Sequence, residues 1–268
     1  MKRYDQLFSQ LKTNKRGAFF PFMILGDPTP AISLKIIDTL ISGGADGLEL
    51  GIPFSDPLAD GPVIQNSNLR AFNSGITVSQ CFEMISSIRY KYSQLPIGLL
   101  IYANLVFSQG IKNFYSICAK LDIDSVLIAD LPLEESKPFV QTASYYNINP
   151  IFICPPNPND NLLRKISIYS RGYIYLLSRT GVTGIEKPAN ITSEEIINNL
   201  HKYTSTPLIQ GFGISNVTQA KQIIKTGVDG IIVGSAIIKI IEDYYDQIDS
   251  MLKKIEIMSI KFKSVLLK

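Results

Sequence analysis

The chain has 268 residues, 46% of them hydrophobic and 18% charged, a composition that suits one large buried core and excludes a disordered chain. Its net charge is +3, from 26 basic and 23 acidic residues, and the basic side chains are scattered. That excludes the dense basic face by which nucleic acid is held.

From Met1 to Lys12, charged and apolar side chains alternate without an apolar run, so no secretory leader is expected. Tyr4, Leu7, Phe8 and Leu11 fall on one stripe of a helix that should pack on an apolar surface. Short apolar runs then alternate with helical-period segments, about thirty residues per unit, as in a parallel βαβ sheet. The expected strands are Ala18–Leu25, Gly47–Leu50, Ile97–Tyr102, Ser125–Ala129, Pro150–Cys154, Tyr173–Leu177, Pro207–Gln210 and Gly230–Val233. Helices are expected between them, among them Ala31–Ser42, Ser79–Tyr92, Lys112–Leu121, Glu134–Tyr146 and Val217–Thr226. Eight strands without a linker predict a single (βα)8 TIM barrel over residues 1–268, α/β in class, with an extra N-terminal helix. The competing architecture is a doubly wound open sheet. It would carry a glycine-rich turn after strand one, whereas here such turns follow strands six, seven and eight. Ala236 to Lys268 reads as a helical extension that packs on the barrel or against a partner. The greasiest stretch, Gly230–Ile241, is interrupted by Gly234, Ser235 and Lys239, so no membrane span is expected. Cys81, Cys118 and Cys154 are widely spaced and form no C-x-x-C pair, which predicts reduced thiols in a cytoplasmic protein.

Barrel enzymes place their chemistry at the C-terminal ends of strands. Alternation in Leu48-Glu49-Leu50 puts Glu49 on the face opposite the two leucines, pointing into the barrel mouth. Asp60 follows eleven residues later in a loop stiffened by Pro53 and Pro57. A buried carboxylate and a mobile one at the same mouth suit paired acid and base work. Asp27 and Asp56, in similar loops, read as turn or capping residues. None of the expected strand ends carries a lysine for a Schiff base. The one histidine, His201, lies late in a helix without a Cys/His partner, so no metal site is expected. Glycine loops follow strand six (Gly181, Gly184), strand seven (Gly211, Gly213) and strand eight (Gly234). Together with Ser235 at a helix start they could cradle a phosphate on backbone amides. Phe22, Leu100, Tyr102, Leu127, Ala129, Ile153, Tyr175, Phe212 and Ile232 are the candidate walls of an apolar cavity, and Tyr175 the candidate hydrogen-bond partner of the carboxylates. A flat apolar group on a short phosphorylated arm fits such a site.

The segment Leu48-Glu49-Leu50-Gly51-Ile52-Pro53-Phe54-Ser55-Asp56-Pro57-Leu58-Ala59-Asp60-Gly61-Pro62 resembles the signature of the tryptophan synthase α-subunit family. So do Pro21-Phe22, Leu25-Gly26-Asp27-Pro28, Tyr102-Ala103-Asn104, Leu177 through Gly184, and Gln210 through Ile214. Thr180 stands where serine is associated with the family, and it keeps the hydroxyl. The resemblance implies retro-aldol cleavage of indole-3-glycerol phosphate to indole and glyceraldehyde 3-phosphate, with Glu49 and Asp60 catalytic. It implies no cofactor in this chain and an α2β2 complex whose β subunit carries pyridoxal phosphate. Asp56, Pro57 and Asn104 are then expected at the partner interface. Thr183 and Gly184 would close over the substrate from loop six, with Thr183 meeting Asp60. Two other readings stay open: a non-catalytic subunit that activates its partner, and another phosphate-binding barrel of amino-acid biosynthesis. An indole-3-glycerol phosphate synthase would need a lysine at the mouth, which is missing.

Overall fold

Strands buried on both faces must be apolar nearly throughout, and β1 (Ala18–Ile24, AFFPFMI) is buried at every position. The computed structural model describes residues 2–177 and 194–268. In it β1 is followed by β2 (Leu48–Gly51), β3 (Ile97–Ile101), β4 (Ser125–Ile128), β5 (Asn149–Cys154), β6 (Ile174–Leu177), β7 (Leu208–Gly211) and β8 (Gly230–Val233). Each pairs in parallel with the next, and β8 returns to β1 to close the barrel. The open-sheet alternative is thereby excluded. No strand bound departs from its expected place by more than one residue, which is the ordinary uncertainty of a strand end.

The helix Arg3–Thr13 closes the N-terminal end of the barrel. Its Tyr4 is buried, stacks on Phe20 and meets Tyr173 edge-on at 5.6 Å. The Tyr4 hydroxyl lies 2.8 Å from Ser125 Oγ. The apolar stripe read from the sequence therefore serves as a plug, leaving the opposite mouth for a ligand.

Two helical expectations need correction. The segment expected as one helix from Glu134 to Tyr146 is a short 3-10 turn, Leu133–Glu135, followed by the helix Lys137–Tyr145. Pro138 lacks an amide proton and belongs in a helix's first turn, so it marks a new start. The C-terminal extension is likewise two helices, Ser235–Asp243 and Ile248–Val265. The first packs on β1 and the helix Pro62–Asn73, the second on the helix Pro30–Ser42. One straight rod cannot reach both surfaces.

Among the described residues no helix is long and apolar enough to cross a membrane, and no cluster of metal-ligating side chains forms. All three cysteines are free and buried. His201 ends the helix Glu194–His201 and is exposed.

Candidate active site

Glu49 is the middle of β2, flanked in register by Phe22 of β1 and Gly98 of β3. Leu48 and Leu50 take the outer face, so alternation turns the carboxyl inward, where it is 1% exposed. Its Oε1 accepts a hydrogen bond from the Tyr173 hydroxyl at 2.7 Å. Its Oε2 is buried with no hydrogen-bond partner among the described residues. Loss of solvent around the charged form raises the Glu49 pKa to about 7, against the smaller opposing effect of the Tyr173 bond. Tyr173, not the expected Tyr175, is thus the partner of Glu49. The two tyrosines are two residues apart and share a strand face, so the pattern allowed either.

Asp60 reaches the same cavity from the loop after β2, and it is 5% exposed. Hydrogen bonds tie the two ends of this loop, while Ser55, Asp56 and Leu58 between them are exposed. The Phe54 amide donates to Asn68 Oδ1 at 2.9 Å, and Gln65 Nε2 donates to the Asp60 carbonyl at 2.7 Å. The Tyr102 hydroxyl accepts from the Ala59 amide at 3.2 Å and donates to Asp60 Oδ2 at 2.8 Å. The Tyr102 ring stacks on Phe54 with centroids 5.0 Å apart. Burial and the Asp60 charge hold the Tyr102 phenol well above the usual tyrosine range, so it stays a donor.

One cavity gathers Glu49 and Asp60 with Phe22, Leu100, Ala129, Ile153, Tyr175, Phe212, Gly213, Ile232, Gly234 and Ser235 from the expected set. Two expected wall residues lie elsewhere. Leu127 is buried one layer deeper, in register with Leu100 and Ile151, and Ala129 two residues on takes the wall position. Tyr102 stands behind the wall, bonded to Asp60. Thr183 and Gly184, with the rest of the loop-six segment from 178 to 193, lie outside the described residues. Ala59, Ile64, Leu177 and Ile214 also line the cavity and were not expected there. Leu177 was legible as the last residue of a strand, whereas Ala59 and Ile64 depend on how the loop folds back.

The candidate phosphate end is built from backbone. Gly234 is the N-cap of the helix Ser235–Asp243, whose first amides have no intrahelical acceptor, and Gly234 and Ser235 line the cavity. Phe212 and Gly213 both hold positive φ, 77° and 73°. For Phe212 that conformation is strained by about 1–3 kcal/mol, and the ring it positions forms part of the cavity wall. Gly211 is required for another reason: a Cβ there would collide with the Tyr175 hydroxyl.

Around the mouth, Asp56, Leu58 and Asn104 are exposed and Pro57 is half-buried. Asp27 is a correction of another kind. Far from capping a turn in solvent, it is fully buried and accepts a bidentate pair from Arg70, at 2.8 and 2.7 Å, and a bond from the Ser67 hydroxyl.

A family model described as Tryptophan synthase alpha chain matches residues 8–266. The tryptophan synthase alpha chain of Photorhabdus laumondii subsp. laumondii is 57% identical over 264 residues, which is 98% of this chain and 98% of that one. Among solved structures, tryptophan synthase subunit alpha from Legionella pneumophila str. Paris aligns with a TM-score of 0.88 at 27% identity, covering 99% of this chain and 98% of the other. A chain of the tryptophan synthase complex from Pyrococcus furiosus aligns with a TM-score of 0.80 at 31% identity, covering 91% and 98%. The family model and the Photorhabdus relative each match nearly the whole length, and the chain belongs to the tryptophan synthase alpha chain family.

Proposed function

We propose that Glu49 and Asp60 carry out the carbon–carbon bond cleavage of this family, splitting indole-3-glycerol phosphate into indole and glyceraldehyde 3-phosphate. The observation that carries the reading is Glu49, a buried carboxyl with one oxygen held by Tyr173 and the other without a hydrogen-bond partner among the described residues, in one cavity with Asp60. Breaking the bond at indole C3 needs a proton delivered to C3 and another removed from the side-chain hydroxyl. The bonding electrons then return to the ring as the aldehyde forms. Glu49 supplies the first proton and takes the second, and a pKa of about 7 suits it to both acts near neutrality. Asp60 accepts the N1–H bond and stabilises the positive charge that develops on the ring when C3 is protonated. The apolar walls hold indole, and the amides at Gly213, Gly234 and Ser235 hold the phosphate.

All described elements belong to one barrel and its flanking helices, which supports a single domain. Free indole is small and apolar, so an open mouth would lose it. We place the β subunit over that mouth, against Asp56, Pro57 and Asn104, in an α2β2 complex. Pyridoxal phosphate belongs to the partner, and the cytoplasm is the compartment that suits the three free thiols.

Indole release from indole-3-glycerol phosphate by the purified chain tests this function directly, and no release with or without the β subunit would refute it. Gly213→Val tests the phosphate cradle, since at a φ of 73° a branched side chain is strained and bulky. Calorimetric titration with glycerol 3-phosphate should show binding weakened at least tenfold, the loss expected from about one charge-assisted hydrogen bond. Unchanged affinity would remove Gly213 from the cradle.

A further inference from the structure

We infer that the buried Asp27–Arg70 pair is a positioning device that fixes the spacing between the two ends of the substrate cavity, an inference that rests on the function proposed above. Neither residue lines the cavity. Asp27 follows β1, the strand that brings Phe22 to the cavity wall. Its carboxylate is fully buried and takes its donors from the helix Pro62–Asn73: Ser67 Oγ, Arg70 Nε at 2.8 Å and Arg70 Nη2 at 2.7 Å. Arg70 Nη1 turns the other way and lies 3.9 Å from Glu242 on the helix Ser235–Asp243. Glu242 is held further by Asn66 Nδ2 at 3.1 Å and Lys239 Nζ at 2.8 Å.

The two joined helices carry opposite ends of the site. The helix Pro62–Asn73 begins two residues after Asp60, presents Ile64 to the cavity, and through Asn68 anchors Phe54. The helix Ser235–Asp243 begins at the amides assigned to phosphate. Apolar packing alone would hold such helices together, and would leave them free to slide by a fraction of an ångström. The planar guanidinium fork on the buried carboxylate fixes the helix Pro62–Asn73 against the end of β1, and the contacts of Arg70 and Asn66 with Glu242 tie the helix Ser235–Asp243 to it, so register is set as well as contact.

Register matters because the ring and the phosphate are joined by a three-carbon arm of limited reach, and the reacting carbon lies on that arm. When the ends are correctly spaced, the second end binds at a high effective concentration, and the reacting carbon sits against Glu49. When they are not, each end still finds its own subsite, but the whole molecule fits poorly. That separation distinguishes positioning from general support of the fold.

Arg70→Lys keeps the charge and removes the fork. With the full-length chain, titration calorimetry would follow indole and glycerol 3-phosphate separately, and single-turnover kinetics would follow indole-3-glycerol phosphate. We expect each fragment to bind within about twofold of wild type while cleavage of the joined substrate falls by roughly tenfold to a hundredfold. Glu242→Gln, which leaves the buried pair intact, should show the same split at about threefold, and it carries the test should Arg70→Lys fail to fold. Fragment affinities that fall together with cleavage would mark general damage, and cleavage within twofold of wild type in both variants would mean that spacing is set elsewhere. Either result overturns the inference. A wild-type chain that neither binds glycerol 3-phosphate nor releases indole would refute the proposed function instead.

Discussion

Glu49→Gln should lower single-turnover cleavage of indole-3-glycerol phosphate by ~10²–10⁴, the contribution of a positioned acid or base. Gln preserves the volume of the side chain and can accept the Tyr173 hydroxyl through its amide oxygen, so the floor of the cavity stays in place. What disappears is a group able to give a proton to C3 and to take one from the hydroxyl. Asp60→Asn should fall in the same range for a different reason. Its amide oxygen can still accept a bond from Tyr102 or from indole N1, but it carries no charge to balance the protonated ring. Because the ring charge that Asp60 balances arises only when Glu49 protonates C3, the two residues act as a unit, and the double variant should lose less than the product of the single losses. Circular dichroism and glycerol 3-phosphate titration of each variant establish that the fold and the phosphate end survive. Near-normal cleavage by Glu49→Gln would end the acid–base assignment, whereas near-normal cleavage by Asp60→Asn alone would remove Asp60 from stabilising the ring charge and leave the proton transfers of Glu49 standing.

The strand count and the inward turn of Glu49 were legible because they follow from short apolar runs buried on both faces of a parallel sheet and from a period of two. Glycine after β7 and β8 was legible as backbone without room for a Cβ, a space that Tyr175 takes at Gly211 and Phe22 at Gly234. What the pattern left undecided was depth. Alternation assigns Leu127 and Ala129, or Tyr173 and Tyr175, to one face without saying which member meets the cavity. Depth depends on barrel stagger, a property of all eight strands together. Loop partners were hidden for a related reason: the bonds from Tyr102 to Asp60 and from Arg70 to Asp27 span 42 and 43 positions. Asp27 illustrates the consequence, since an aspartate in a Gly-Asp-Pro turn has the same local signature whether it faces water or a buried arginine.

Stability should carry the imprint of Glu49 as a pH dependence that the Gln variant lacks. In the folded chain the Glu49 pKa is about 7, while an exposed glutamate titrates near 4.5. Because the folded value is the higher one, the folded state binds the proton more tightly. The stabilisation is therefore fully present below about pH 4.5, declines as the unfolded chain ionises, and is lost once the pH has risen through about 7. The span corresponds to roughly 3 kcal/mol at full burial. Every other titrating group is common to both proteins, so the difference in unfolding free energy between wild type and Glu49→Gln isolates this one. Urea unfolding at about pH 5 and about pH 8 should show Glu49→Gln gaining on wild type by on the order of 3 kcal/mol at the higher pH. Part of that gain is measurable on either side of neutrality, because the decline is spread over the whole interval between the two pKa values. A gap that stays constant across the range would mean that Glu49 ionises as easily in the folded chain as in water. The carboxyl would then be unable to hold the proton that C3 requires at neutral pH, and the acid role would have to pass to another group in the cavity.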